Sequence, residues 1–358
     1  MNIVHIEAGR HFYGGPLQAL LLMEGLARAG HENTLVCAKG AKIGEKAKGL
    51  ARVMEISLGG EVDVFSFWRL KRLLASLRPD LVHVHSRRGA DLWAGLAARA
   101  LGIPAVLTRR VDNKENPFSS WKYRFYAKVA AISRAVADEL GKAGVPGDKI
   151  RLIPSALEVP PKTSCDRSRF LRAFGLEEGQ VVAGTVAQLI PRKGIDVLIR
   201  ALPQVVRRHP QARFLVFGAG KAQKSLFELR DALQMGEYIR FVGHREDLDK
   251  IYPCLAFLVH PARKEGMGVA VLEAMAFELA VVASAAGGIV DVVEDGKTGL
   301  LVPPGDEKAL AQAINTLLSS PGLAQEMGER GRQKIIERFS PEAMVEGYLA
   351  LYREILGG

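Results

Sequence analysis

The stretch 255–276, LAFLVHPARKEGMGVAVLEAMA, limits what this chain can fold into more than any other. Residues 255–259 form an apolar run of strand length and type. Residues 260–265 read as a short loop, and Gly266, Met267 and Gly268 lead into a helical pattern over 269–276. A strand that feeds a helix through a glycine turn leaves backbone N–H groups facing outward, with the positive end of the helix dipole behind them. That arrangement binds phosphate. Two carboxylates bracket the turn, Glu265 before it and Glu273 inside an otherwise apolar helix. Burying a carboxylate is costly unless it is paired or hydrogen-bonded, so Glu273 calls for a partner such as a hydroxyl. Read for stability alone, Glu265 is a helix-entry acid and Glu273 meets a buried arginine.

The same alternation recurs along the chain. A strand over 3–6, the loop Tyr13-Gly14-Gly15-Pro16, a helix over 17–29 and a strand over 34–38 make a parallel β-α-β unit. Its two glycines let backbone approach a ligand closely. After a helix over 64–77, the strand 81–85, LVHVH, places His83 and His85 on one face, and Ser86-Arg87-Arg88-Gly89 opens the loop. His85 falls at the carboxyl end of a parallel strand, where open α/β sheets bind ligands. A strand end over 106–110 is trailed by Val111-Asp112-Asn113, and the aromatic and basic stretch 121–126 precedes AISRAVADEL, where Ser133 before a helical run reads as an N-cap.

Pro160-Pro161-Lys162-Thr163-Ser164 reads as a linker. Beyond it comes a helix over 170–174, then a strand over 181–186 that runs into QLIPRKG, where Arg192 and Lys193 beside Gly194 suit a diphosphate. Gly218-Ala219-Gly220 follows a strand over 214–217. It is not a dinucleotide fingerprint, because Gln223 stands where the third glycine is needed. The D-x-D at Asp247-Leu248-Asp249 has metal-ligand spacing, but acids at a helix start are favoured by the dipole, so no metal is expected. A strand over 280–283 precedes Gly287-Gly288-Ile289-Val290-Asp291, and a last strand spans 299–302. Ser340-Pro341-Glu342 caps a terminal helix reaching 356.

At 358 residues the chain accommodates two domains. They are placed at 1–160 and 165–340, with the helix 341–356 returning to the first. Cys37, Cys165 and Cys254 are odd in number and far apart, and match no metal or redox spacing, which points to a reducing cytosol. MNIVHIEAG reads as a buried first strand, not a signal peptide, and no run offers the ~18 apolar residues of a membrane span. Of the net charge of +10, residues 1–160 hold 24 Lys/Arg against 15 Asp/Glu, or +9, and the rest holds 25 against 24, or +1. A basic half suits nucleic acid, anionic lipid or a phosphorylated ligand, or merely a solvated surface.

Glu265 and Glu273, with seven residues between them, resemble the E-x7-E signature of retaining glycosyltransferases of the GT-B fold, family 4 type. Arg192-Lys193-Gly194, the G-x-G at Gly218, the second His of H-x-H and the double glycine at 287–288 resemble further motifs of that family. Two positions depart from it: Ser155-Ala156 replaces Asn-Gly, and Asp291 replaces Glu. The resemblance implies an α/β fold of two doubly wound, Rossmann-like parallel-sheet domains facing a central cleft. It implies a nucleotide-sugar donor as co-substrate, UDP-sugar first and GDP-sugar second, with no cofactor and no metal. Glu265 and His85 would lie beside the transferred sugar, and Arg192 and Lys193 on the phosphates. Glu273 would hold the ribose, and Gly287-Gly288 would turn amides toward the sugar. Gly14, Gly15, Gly218, Gly266, Met267 and Gly268 would complete the donor site. The acceptor would be a glycan, lipopolysaccharide or another lipid-linked oligosaccharide. The basic residues and Trp121, Tyr123, Phe125 and Tyr126 would anchor a cytoplasmic enzyme to an anionic membrane face. Two rival readings are a non-hydrolysing sugar-nucleotide epimerase of the same fold and a nucleic-acid-binding protein.

Overall fold

A computed structural model describes all residues except 11, 13, 87, 88, 112–116 and 358, so Tyr13, Arg87, Arg88, Asp112 and Asn113 lie outside the described residues. The chain divides into two compact units, Met1–Ala156 with Arg338–Gly358, and Leu157–Glu337.

The first unit carries seven strands: β1 (Asn2–Glu7), β2 (Glu32–Ala38), β3 (Arg52–Ile56), β4 (Leu81–Val84), β5 (Ala105–Arg109), β6 (Lys128–Ala131) and β7 (Ile150–Leu152). They form one parallel sheet in the order β3-β2-β1-β4-β5-β6-β7. The strand order reverses between β1 and β4, where His5 stands in register with His83. Strands buried on both faces need apolar residues throughout, which β4 and β5 supply apart from His83, Thr108 and Arg109. The helix Gly14–Arg28 starts three residues earlier than the sequence pattern indicates, so Gly14 and Gly15 belong to its first turn and not to a loop. Pro16 fits there because its missing N–H lies among the donors a first turn leaves unpaired. The helix Pro341–Leu356 begins with Ser340 Oγ accepting from Ala343 N–H, and buries Met344, Val345, Tyr348, Leu351 and Tyr352 in this unit's core with Leu21, Leu22 and Leu26. Gly25 is where the two helices touch: a Cβ there would overlap Val345.

The second unit has six strands: β8 (Val181–Val186), β9 (Ala212–Phe217), β10 (Ile239–Gly243), β11 (Phe257–His260), β12 (Ala280–Ser284) and β13 (Gly299–Val302). They too are parallel, in the order β10-β9-β8-β11-β12-β13, and reverse between β8 and β11. Helix Ile195–Val206 buries seven apolar or small residues on this sheet beside Leu310, Ile314 and Leu317 of helix Glu307–Ser319.

Three readings from the sequence are corrected here. Cys165 and Cys254 form a disulfide, leaving Cys37 as the free cysteine. They are 89 residues apart, and the fold, not their spacing, brings them together. The cysteine argument for a reducing compartment therefore falls. Half of the aromatic stretch 121–126 is core: Tyr123 and Tyr126 are buried, and buried Lys122 pairs with buried Asp91 at 2.5 Å, while Trp121 and Arg124 are exposed. The buried groups cannot anchor a membrane. Finally, β11 starts two residues later and ends one residue later than expected, which makes His260 its last residue and removes it from the loop.

Closing a loop of this length restricts the unfolded chain by an amount worth about 4–5 kcal/mol on the chain-entropy relation. All three tryptophans, Trp68, Trp93 and Trp121, belong to the first unit. Reduction with dithiothreitol should lower the thermal transition seen by far-UV circular dichroism and leave the one seen by tryptophan fluorescence in place. Equal shifts of both signals, or none, would contradict the assignment.

Candidate functional site

Where the order of a parallel sheet reverses, the loops leaving the two central strands turn to opposite faces and open a crevice at their carboxyl ends. Each unit places side chains that the sequence singles out as site candidates near that position.

In the second unit the loops after β8 and β11 meet. Backbone N–H of Arg263 donates to Arg192 O at 2.8 Å, and Gly194 (φ 66°) lies so close to Pro261 that a Cβ would overlap its carbonyl oxygen. These contacts place Lys193 against Glu265, whose Oε2 accepts from both Lys193 Nζ and His260 Nε2, the latter at 2.8 Å. Oε1 accepts from Gly266 N–H at 3.1 Å. Burial by itself would raise this carboxyl; the hydrogen bond from His260 and the ammonium of Lys193 overcome it and bring it down to about 2. Glu265 is therefore a fixed anion at neutral pH. Arg192, next in the loop, is exposed and donates to Lys264 O at 3.4 Å.

The turn after Glu265 is held by glycines. Gly287 (φ 55°) has no room for a Cβ under the Glu265 carbonyl, and Gly288 N–H donates to Gly266 O at 3.0 Å. The Gly288 amide thus serves this packing instead of facing outward as the sequence suggested. Gly268 (φ 77°) opens helix Val269–Ala276, whose first N–H groups lack intrahelical acceptors. Met267 is buried below that turn. Gly218 donates its N–H to Gly243 O at 2.8 Å and, lacking a Cβ, lets the loop after β9 pass against Ala187. Glu273, one turn along the same helix face from exposed Val269, accepts from Tyr252 Oη at 2.9 Å, the hydroxyl partner its burial requires. Burial raises its carboxyl, and the Tyr252 bond opposes that rise. Tyr252 is steadied by stacking on Phe277, with ring centroids 5.3 Å apart. Asp247 of the D-x-D is held by Arg245 at 2.6 and 2.8 Å.

In the first unit, β1 and β4 deliver three buried imidazoles. His85 Nε2 lies 3.0 Å from His5 Nδ1, and His5 Nε2 lies 3.0 Å from Asn33 Oδ1. His83 bonds Tyr352 Oη at 2.6 Å and Thr108 Oγ1 at 2.7 Å, and Thr108 in turn bonds Tyr348 Oη at 2.8 Å. Arg110 Nη2 approaches His85 Nδ1 at 3.5 Å, and Gly15 lies against the Arg110 side chain. The ligand atoms of His5, His83 and His85 fall within 4.8 Å of one another, a spacing that fits a metal ion. Their nitrogens already have protein partners, so the group reads as a hydrogen-bonded network. His83 is thus a structural residue and His85 the one nearest Arg110. Sequence reasoning missed His5, His260 and Tyr252. The signal for the two histidines was a polar residue inside an apolar strand.

Burial lowers His5 from 6.5 to about 4 and moves His83 and His85 the same way. A folded value below the unfolded one means the unfolded chain takes up protons first. Stability is then complete above pH 6.5 and falls as pH drops from there toward 4, by up to about 1.4 kcal/mol per pH unit for each imidazole. Urea titrations followed by tryptophan fluorescence should show this slope, and His5→Gln should make it shallower. A flat profile from pH 7 to 5 would mean the imidazoles are not buried as neutral groups.

The comparisons with known proteins agree with this geometry. A family model described as Glycosyl transferases group 1 matches residues 166–334, and one described as Glycosyltransferase Family 4 matches 14–159. The GDP-mannose-dependent alpha-(1-6)-phosphatidylinositol monomannoside mannosyltransferase of Mycolicibacterium smegmatis is 33% identical over 280 residues, covering 69% of this chain and 72% of that protein. The lipopolysaccharide core biosynthesis mannosyltransferase LpcC of Rhizobium leguminosarum is 29% identical over 282 residues, covering 76% and 78%. The crystal structure of Anabaena HepE in complex with UDP superposes with a TM-score of 0.85 at 20% identity, covering 99% and 100% of the two chains. Two parallel-sheet Rossmann-like units, matched by both family models, identify the chain as a glycosyltransferase of family 4 with the GT-B fold.

Proposed function

We propose that the chain moves a sugar from a nucleoside diphosphate to a hydroxyl of a glycan acceptor, with retention at the anomeric carbon. The observation that carries this reading is the Lys193–Glu265–His260 cluster beside the Gly266–Gly268 turn, at the strand reversal of the second unit. Lys193 has three N–H donors, so one serves Glu265 and others remain for phosphate. Arg192 and the helix-start amides add positive potential where charge develops on the leaving diphosphate, the main lever in such chemistry. The bond from the anomeric carbon to the diphosphate breaks while the acceptor oxygen bonds on the same face. The acceptor proton passes to a phosphate oxygen. Glu265 orients the sugar and Glu273 takes the ribose hydroxyls.

UDP heads the panel of donors, since HepE was solved with it, and GDP comes second because the mycobacterial relative is named for GDP-mannose. No metal enters this reading. The acceptor is proposed to be lipopolysaccharide or another lipid-linked oligosaccharide, in line with the names of two relatives. Among the described residues no helix is long and apolar enough to cross a membrane. Attachment would instead use a surface patch of the first unit: Val62, Val64, Phe65 and Trp68 are 90%, 54%, 68% and 63% exposed, with Lys71 and Arg72 beside them. Cations near an anionic bilayer contribute about 1 kcal/mol each. The site would be the inner face of the cell membrane, and nucleic acid is not a partner.

Glu265→Gln should lower kcat about a hundredfold, yet leave the Kd for UDP or GDP unchanged or tighter, because it frees Lys193. Glu273→Gln should weaken nucleoside diphosphate binding about 10–100-fold, the value of a charged hydrogen bond. Calorimetry separates the two, and equal affinity losses would refute this division of roles. In sedimentation with anionic vesicles, the protein should pellet at low salt and be released at high salt, and Phe65→Ser with Trp68→Ser should abolish pelleting. A parent protein that stays in the supernatant at low salt removes the membrane contact.

A further inference from the structure

The imidazole network of the first unit has a direction. The side-chain nitrogen of Asn33 faces two backbone carbonyls, Met23 O at 3.1 Å and His31 O at 3.4 Å. Carbonyl oxygens only accept, so the amide must present its N–H₂ on that side and its Oδ1 to His5. Oδ1 also only accepts, so His5 Nε2 carries the proton. A neutral imidazole has one N–H, which leaves His5 Nδ1 as a lone pair. His85 Nε2, 3.0 Å from that lone pair, must donate to it, and His85 Nδ1 becomes an acceptor. Arg110 Nη2, which can only donate, stands 3.5 Å from that atom. Every acceptor from Met23 to Arg110 thus meets a donor, and reversing one link would set two N–H groups or two lone pairs against each other. The contacts of His83 impose no such order, because its partners are hydroxyls that both donate and accept.

We infer that Asn33 and His5 are positioning residues that hold His85 as the Nε2–H tautomer and present its Nδ1 as a hydrogen-bond acceptor. Burial supports this by keeping His5 and His85 neutral near pH 7. The consequence for chemistry rests on the proposed reading of His85 as a sugar contact. At Nδ1, where Arg110 is the present donor, the residue can accept a hydrogen bond but cannot give one, so a sugar hydroxyl that takes the place of Arg110 would be oriented by His85, and no leaving group would be protonated by it.

His5→Gln and His5→Leu test the relay. A glutamine at position 5 can donate to Asn33 and accept from His85, preserving the order, whereas leucine removes both links. The readout is the long-range nitrogen–proton spectrum of the full chain labelled at histidine, at pH 7.5, with the His85 signals assigned from His85→Asn. The parent and His5→Gln should both show Nε2–H at His85 with the downfield shift and slow solvent exchange of a hydrogen-bonded proton, and His5→Leu should lose both marks. Loss of such a supporting group costs about 10–100-fold in activity, so kcat should fall by that factor in His5→Leu, with KM for the nucleotide sugar unchanged and activity rescued by His5→Gln. An Nδ1–H or doubly protonated His85 in the parent overturns the proposal, and this needs no variant to fold. An unchanged shift and exchange rate of the His85 Nε2–H in a folded His5→Leu overturns it equally. If the parent shows Nε2–H but transfers no sugar, the assignment stands and the proposed function fails.

Discussion

Charge compensation around Glu265 is the constraint on which the strand ends of the second unit depend. Its carboxylate is only 8% exposed, and a buried charge stripped of a partner costs about 3–5 kcal/mol. Lys193 comes from the loop after β8 and His260 from the end of β11, so the ion pair ties together the two loops that diverge at the reversal. Side chains alone could not bring them that close. The backbone also has to pass where Gly194 and Gly287 leave no space for a Cβ. Charge and glycine placement are thus one device: the glycines permit the approach, and the ion pair makes it favourable.

The first unit solves the corresponding problem without net charge at its centre. Three imidazoles, two tyrosine hydroxyls and a threonine hydroxyl are removed from water together, and each is costly to bury alone. They offset that cost by pairing with one another. Tyr348 and Tyr352 belong to the terminal helix, so the last turns of the chain complete the polar core begun by β1. Gly25 allows that helix to lie against Gly14–Arg28, and Lys128 and Arg151 hold its end through Glu354 at 2.6 Å each.

The parts of the fold legible in the sequence were those with a strong period or a specific local signal. Helix Val269–Ala276, strands β8 and β13, the Ser133 cap and the Ser340 cap all carry such signals in adjacent residues. Strand β3, with Arg52 and Glu55 among five residues, has too little apolar character to register, because it lies at the sheet edge and is only partly buried. The helix start at Gly14 was hidden by two residues with poor helix propensity, which the first turn tolerates. In the site, Glu265, Glu273 and Lys193 were visible through spacing, whereas the pairings that define their chemistry were not. Tyr252 reaches Glu273 from 21 residues away, Lys193 reaches Glu265 from 72, and Cys165 reaches Cys254 from 89. Such partners are set by sheet order, which no local pattern encodes.

The two glutamates illustrate how far apart neighbouring groups can be driven by their surroundings. They sit eight positions apart on one loop-and-helix segment, and both lose water on folding. Glu265 gains a cation and an imidazole donor and is held at about 2; Glu273 gains one tyrosine hydroxyl, and burial wins, so its carboxyl rises. The Glu265 oxygens also accept three protein hydrogen bonds between them, from Lys193, His260 and Gly266. A carboxylate so fully engaged is a poor base and a poor nucleophile, because either role would have to break bonds that stabilise its charge. It remains a fixed negative point that orients whatever lies beside it. Glu273 keeps one oxygen bonded to Tyr252 and is the freer of the two to accept from a ligand hydroxyl. The same residue type therefore offers, within one motif, an anchored charge and an available acceptor, and the difference comes from partners contributed by the loop after β8, the end of β11 and the segment before β11.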